Sequence, residues 1–89
     1  MIKGVYSMFD VCQGFLTPIF EDNDALALRN FSFAMQSANT LYRFRPTDFS
    51  FYKLGTFDTH DGTFELISPA ELVARGDSVS ERSVSREKV

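Results

Sequence analysis

The stretch Asp48-Phe49-Ser50-Phe51-Tyr52-Lys53-Leu54-Gly55-Thr56-Phe57-Asp58, with the turn Thr59-His60-Asp61-Gly62 and the return run Thr63-Phe64-Glu65-Leu66-Ile67, constrains the fold of this chain more than any other. Aromatic and β-branched residues fill both arms, and Asp61-Gly62 offers the positive backbone angles of a tight turn, so the stretch reads as a β-hairpin. Strict alternation would separate Tyr52 and Leu54 from Phe57. A bulge at Gly55 absorbs one residue and brings the three onto one face, leaving Phe49, Phe51 and Lys53 on the other. The Tyr52, Leu54 and Phe57 face is then the one expected to meet a helix.

The rest of the chain is read outward from that hairpin. Ile2 to Phe9 has strand character, Asp10 to Gly14 a loop, and Phe15 to Phe20 a returning strand that Pro18 restricts to an edge or an interrupted segment, because proline cannot donate to a ladder. Asn23, or Asp22, caps a helix whose stripe is Ala27, Leu28, Phe31, Ala34, Met35 and Ala38, with Leu26 and Phe33 widening its apolar surface toward a second contact. Leu41 to Pro46 alternates apolar and basic residues and enters the hairpin extended. Ser68-Pro69-Ala70-Glu71 has the composition of a helix start that Gly76 ends.

The expected fold class is α+β: a small antiparallel ββαββ sheet with one helix on one face and a short C-terminal helix. It occupies residues 1–76 as a single domain. Residues 77–89, a near-repeat of Ser and charged residues without means of building a core, are expected to be a disordered tail. Helix limits are expected near 23 and 38, and strands near 2–9, 15–20, 49–58 and 63–68.

At 89 residues the chain has room for one thin core, carried mainly by ten Phe. Such a short chain buries only roughly 60% of its unfolded surface. With exposed strand edges and aromatic residues on both sheet faces, the expectation is a homodimer or higher homo-oligomer. Cys12 stands alone, which excludes an intrachain disulfide and fits a reducing compartment. No apolar run reaches membrane-spanning length, and the N-terminal residues run straight into strand-like alternation without the apolar core of a signal peptide.

The formal net charge is −3, which argues against a general polyanion binder. Within residues 77–89 three acids balance three bases, so the net charge belongs to the first 76 residues. Arg43, Arg45 and Lys53 nevertheless lie between Leu41 and Phe57 beside a single acid, Asp48, which makes that segment locally basic. Aromatic rings interleaved with arginines suit a single-stranded nucleic acid, because bases stack on rings while guanidinium groups hold phosphates. The candidate nucleic-acid-binding residues are Tyr42, Arg43, Phe44, Arg45, Phe51 and Lys53. An amphipathic connector that buries Leu41, Tyr42 and Phe44 and leaves its arginines in water would look the same.

Catalysis finds no support. His60 is the only histidine and falls at the hairpin tip, where its neighbours Asp58 and Asp61 serve as turn residues, and the chain carries no phosphate-binding glycine loop, cysteine pair or nucleophile elbow. A non-enzyme without cofactor or metal is expected.

Three runs in order carry a resemblance. Gly14-Phe15-Leu16-Thr17-Pro18-Ile19-Phe20 leads into Asn23-Asp24-Ala25-Leu26-Ala27-Leu28-Arg29-Asn30-Phe31, and Pro46-Thr47-Asp48-Phe49 opens the hairpin that ends in Gly55-Thr56-Phe57-Asp58. Together they resemble the small nonstructural protein of gokushoviruses, single-stranded DNA bacteriophages of the family Microviridae. The resemblance implies a protein of the infected bacterial cytoplasm that binds DNA and acts in genome replication or in the switch to single-strand synthesis and packaging. It brings no catalytic residues. The basic Leu41 to Arg45 segment departs from the family, whose approach to Pro-x-Asp is more acidic or polar. Two functions stay open: a single-stranded-DNA-binding protein, or an adaptor that binds a phage or host replication protein through its aromatic sheet face.

Overall fold

The computed structural model describes residues 1–37 and 41–79. In chain order these form β1 (Ile2–Asp10), β2 (Gly14–Phe15), β3 (Ile19–Glu21), α1 (Asp24–Met35), α2 (Leu41–Phe44), a 3-10 turn at Pro46–Asp48, β4 (Phe49–Asp58) and β5 (Phe64–Arg75). The class is α+β, with an antiparallel five-stranded sheet. The disordered tail expected over residues 77–89 lies outside the described residues from 80 onward, as does Ala38.

β1 is central. One of its edges pairs with β4 along its whole length, from Ile2 opposite Asp58 to Asp10 opposite Phe49. Its other edge takes β2 and β3 in succession, with Phe9 opposite Phe15 and Val5 opposite Phe20. Between them the Leu16 amide still donates to the Met8 carbonyl at 2.8 Å, and Pro18 falls where the ladder is broken. The second strand is therefore the interrupted edge that its proline requires. Asp10 holds the preceding turn by accepting from the Cys12 amide at 2.9 Å and the Gln13 side chain at 2.8 Å.

Asn23 is the cap of α1, accepting from the Leu26 amide at 2.8 Å, and Gln36 ends the helix. Ala27, Phe31 and Met35 are buried on the sheet, one residue per turn as the apolar stripe demands. The β4–β5 turn closes through Asp58 N–H to Thr63 O at 2.9 Å and Gly62 N–H to Asp58 O at 2.8 Å, with Gly62 at φ 77°.

Two segments differ from their sequence reading. Residues 68–75 continue as strand: Glu71 pairs with Lys53 and Leu72 with Tyr52, so the backbone groups that a one-turn helix would leave open are satisfied by the ladder. Pro69 is tolerated because it lies in the interruption between the Gly55–Leu66 and Lys53–Glu71 pairs, where no ladder donor is needed. Among the described residues that follow β5, helical geometry appears at 76–79, beginning at Gly76 rather than ending there. Leu41 to Phe44 is a helical turn and not an extended connector; the effect of Pro46 on its neighbour is confined to Arg45, at φ −131° and ψ 63°.

The core comprises Tyr6, Ala27, Phe31, Met35, Phe49, Phe51 and Val79. Val79 is 2% exposed, so the packed unit extends beyond the boundary expected at residue 76. Gly76 permits this by close approach, since a Cβ there would meet the Pro46 and Phe49 carbonyl oxygens and the Met35 side chain.

Candidate nucleic-acid interface

The bulge forms where Gly55 suggested it, with Leu54 as the extra residue: Val5 faces Gly55, and the next residue, Tyr6, faces Lys53. Tyr52 and Phe57 accordingly share a face. The helix covers the opposite one. Phe51 stacks between Phe31 of α1, at 4.8 Å between ring centroids, and Tyr6 of β1, at 5.5 Å, while Tyr42 meets Phe49 edge-on at 4.8 Å. Both faces of β4 carry aromatics, so β4 alone does not reveal which one is buried. β1 decides it by placing Tyr6 and Met8 opposite Lys53 and Phe51.

This inversion splits the six residues selected from sequence. Phe51 is 3% exposed and is a core ring, so it offers no stacking surface. Tyr42 is half-buried, and with Phe51 it lines an apolar cavity of about 290 Å³ between α1, β1 and the β2–β3 link. Lys53 is engaged by Asp24, at 3.0 Å from Nζ to Oδ1, and lies 5.8 Å from the centroid of the Tyr6 ring. The Tyr6 hydroxyl also donates to Asp24. This network ties the first turn of α1 to the sheet. Burial, and then the hydrogen bond to the Asp24 carboxylate, push the Tyr6 hydroxyl well above its ordinary range. The Tyr6 hydrogen bond, followed by that from Lys53, holds Asp24 below the usual carboxylate range.

Arg43, Phe44 and Arg45 remain on the surface. Phe44 is 78% exposed, Arg43 donates from Nη1 to the Gln36 carbonyl at 2.9 Å, and Arg45 pairs with Asp48 at 3.5 Å. The Arg43 bond ties α2 to the C-terminal end of α1, along which Ala25, Leu28, Arg29, Ser32, Phe33 and Gln36 line a shallow groove. Phe33 is 77% exposed, and Arg29 forms no ion pair among the described residues. Arg43 thus reaches the C-terminal end of the helix whose exposed side carries Arg29 and Phe33, and its chain neighbours Phe44 and Arg45 are exposed beside it, Arg45 engaged by Asp48. Arg29 was not selected from sequence, and Phe33 only as part of an apolar edge directed toward a second contact. Their i, i+4 spacing on the side of the helix away from Ala27 and Phe31 is the signal that finds them.

The open face of the sheet is different in character. Phe9, Phe15 and Tyr52 form one ring cluster, and Phe20, Phe57 and Phe64 another, with centroid separations from 4.7 to 6.2 Å. Its cations lie at the margins and have partners: Lys3 with Asp22 at 2.9 Å and Arg75 with Asp77 at 3.4 Å. His60 is exposed at the turn, its amide held by Asp58 at 2.8 Å. Among the described residues no group of three His, Cys, Asp or Glu side chains is placed to hold a metal, and no helix is long and apolar enough to cross a membrane.

A family model described as "Phage ORF5 protein" matches residues 3–79, nearly the whole described chain. No curated protein and no solved structure matches.

Proposed function

The chain belongs to the phage ORF5 protein family, and from that premise we propose that it is a non-enzymatic single-stranded-DNA-binding protein of the infected host's cytoplasm. Its role would lie in genome replication or the switch to single-strand synthesis and packaging, as the resemblance to the gokushovirus nonstructural protein implies. The observation that carries the reading is the surface formed by α1 and α2. There Arg29, Arg43 and Arg45 accompany the exposed rings of Phe33 and Phe44 on a protein whose net charge is otherwise acidic. Rings accept any base by stacking and guanidinium groups hold the backbone, so the binding would be tolerant of sequence.

The test is anisotropy of a labelled oligothymidylate at two salt concentrations. Three phosphate contacts on a single strand predict a loss of roughly 20-fold between about 50 and 200 mM salt. Arg29→Ala and Arg43→Ala should each weaken binding and flatten that dependence, whereas Phe33→Ala and Phe44→Ala should weaken it with the slope retained. Affinity unchanged in all four variants would remove the surface from consideration.

The second reading, an adaptor for a phage or host replication protein, draws on a specific observation. Among the described residues, Lys3, Arg45, Lys53 and Arg75, all within residues 1–76, are paired with carboxylates of the chain itself. Absence of any oligonucleotide binding at low salt would favour it.

A further inference from the structure

We propose that the open face of the sheet is the interface of a homodimer, two copies packing face to face over their aromatic clusters. This stands independently of the nucleic-acid reading, which uses the opposite side of the molecule.

The face is defined by register. Phe15 pairs with Phe9, Phe20 with Val5, Phe64 with Phe57, Leu66 with Gly55 and Leu72 with Tyr52, and residues directly opposite in an antiparallel ladder share a face. Phe15, Phe20, Phe64, Leu66 and Leu72 are 50, 45, 53, 78 and 49% exposed. At roughly 200 Å² for each such side chain, these five leave on the order of 550 Å² of apolar surface in water. That is at the upper end of the largest patch a monomer normally shows, and two such faces together remove roughly 1,100 Å², above the threshold of about 1,000 Å² for a specific interface.

Charge selects the occupant. The acids of β5, Glu65 and Glu71, pair with Thr56 and Lys53 and so stand on the helix side, alternating with Leu66 and Leu72. Lys3 and Arg75 at the margins of the open face are neutralised by acids of their own chain. A surface without net charge has nothing to offer a polyanion or a strongly charged partner, but it opposes its own copy without repulsion. Edge-to-edge association is disfavoured on both sides of the sheet, because Pro69 has no N–H to offer from the β5 edge, and the opposite edge consists of the short strands β2 and β3 separated at Pro18. Packing of the two faces is the arrangement that remains.

The experiment is sedimentation velocity on the full chain over a wide concentration range, with circular dichroism on the same samples. The wild type should sediment at twice the 10.1 kDa chain mass. Leu66→Lys and Phe15→Lys, at opposite ends of the face, should each raise the dimer dissociation constant at least tenfold while keeping the secondary structure, and Phe33→Lys on the helical side should leave the dimer intact. If Phe15→Lys fails to fold, Leu66→Ser is read beside Leu66→Lys, since Leu66 is largely exposed and its replacement disturbs no packed side chain. A wild-type monomer at every concentration overturns the proposal and leaves the face to a different protein. So does a dimer that survives the open-face substitutions or that Phe33→Lys dissociates.

Discussion

Replacing Phe51 by alanine separates a core ring from a base-stacking ring, the role its sequence context suggests. Phe51 is 3% exposed and sandwiched nearly parallel between Phe31 and Tyr6, at interplanar angles of 10° and 9°. Deleting a buried Phe costs about 3–5 kcal/mol through lost transfer energy and the cavity left behind. The space beside Phe51 is already part of a cavity of about 290 Å³, and the loss of two stacked contacts, each worth about 0.5–1.5 kcal/mol beyond area, places the expectation toward the upper end. A domain of this size has a total stability of only about 5–10 kcal/mol. The melting temperature should therefore fall by about 15–40 °C, on a scale of 4–8 °C per kcal/mol. The assay is thermal and urea unfolding followed by circular dichroism, at one fixed protein concentration so that self-association does not shift the midpoint. Phe33→Ala is the control: 77% exposed, it should stay within about 0.5 kcal/mol of wild type. If Phe51→Ala retains stability within about 1 kcal/mol while losing affinity for oligonucleotide, the ring lies on the surface and the assignment of sheet faces is wrong.

Asn23→Ala removes the side-chain acceptor of the Leu26 amide and should cost about 1 kcal/mol, read as a lower urea midpoint with unchanged slope. Gly76→Ala drives a Cβ into the Pro46 and Phe49 carbonyl oxygens, backbone atoms that cannot rotate away, and should destabilise by about 1–3 kcal/mol. The carboxyl of Asp24 sits below its ordinary value of 3.8 in the folded protein. Its contribution is thus present above that value and lost as pH falls through the lower folded value. The difference in urea midpoint between wild type and Asp24→Asn should shrink on going from neutral pH to strong acid. The Tyr6 hydroxyl is raised above its ordinary 10.0, so its contribution is fully present below that value and lost as pH rises through the higher folded value. Tyr6→Phe should therefore reduce the extra loss of stability in strong alkali. An unchanged difference at both ends of the range would detach Asp24 and Tyr6 from the link between helix and sheet.

Local chemistry determined a good deal by itself. Asn23 sets the start of α1 because its side chain reaches an amide three residues on. Pro18 interrupts the edge strand because it has no N–H, and Asp61-Gly62 closes the hairpin because glycine accepts a positive φ. The Gly55 bulge was legible from the mismatch between Tyr52 and Phe57, and the inward stripe of α1 from its period. These features depend on neighbours a few residues away.

What tertiary structure decided was the use of surfaces. β4 carries rings on both sides, so its own pattern has no polar face to mark as outside. Only its register with β1, which sets Tyr6 and Met8 beside Lys53 and Phe51, commits Phe51 to the core and leaves Tyr52 and Phe57 open. Residues 68–75 have a plausible helix start, but long-range pairing with β4 supplies the hydrogen bonds that one helical turn could not. Val79 lies in a segment of polar, charged composition and is buried nonetheless, because Gly76 lets the chain pass close beside Met35 and Phe49. In each case the deciding partner is distant in sequence, and the free energy of burial belongs to the pair rather than to either segment.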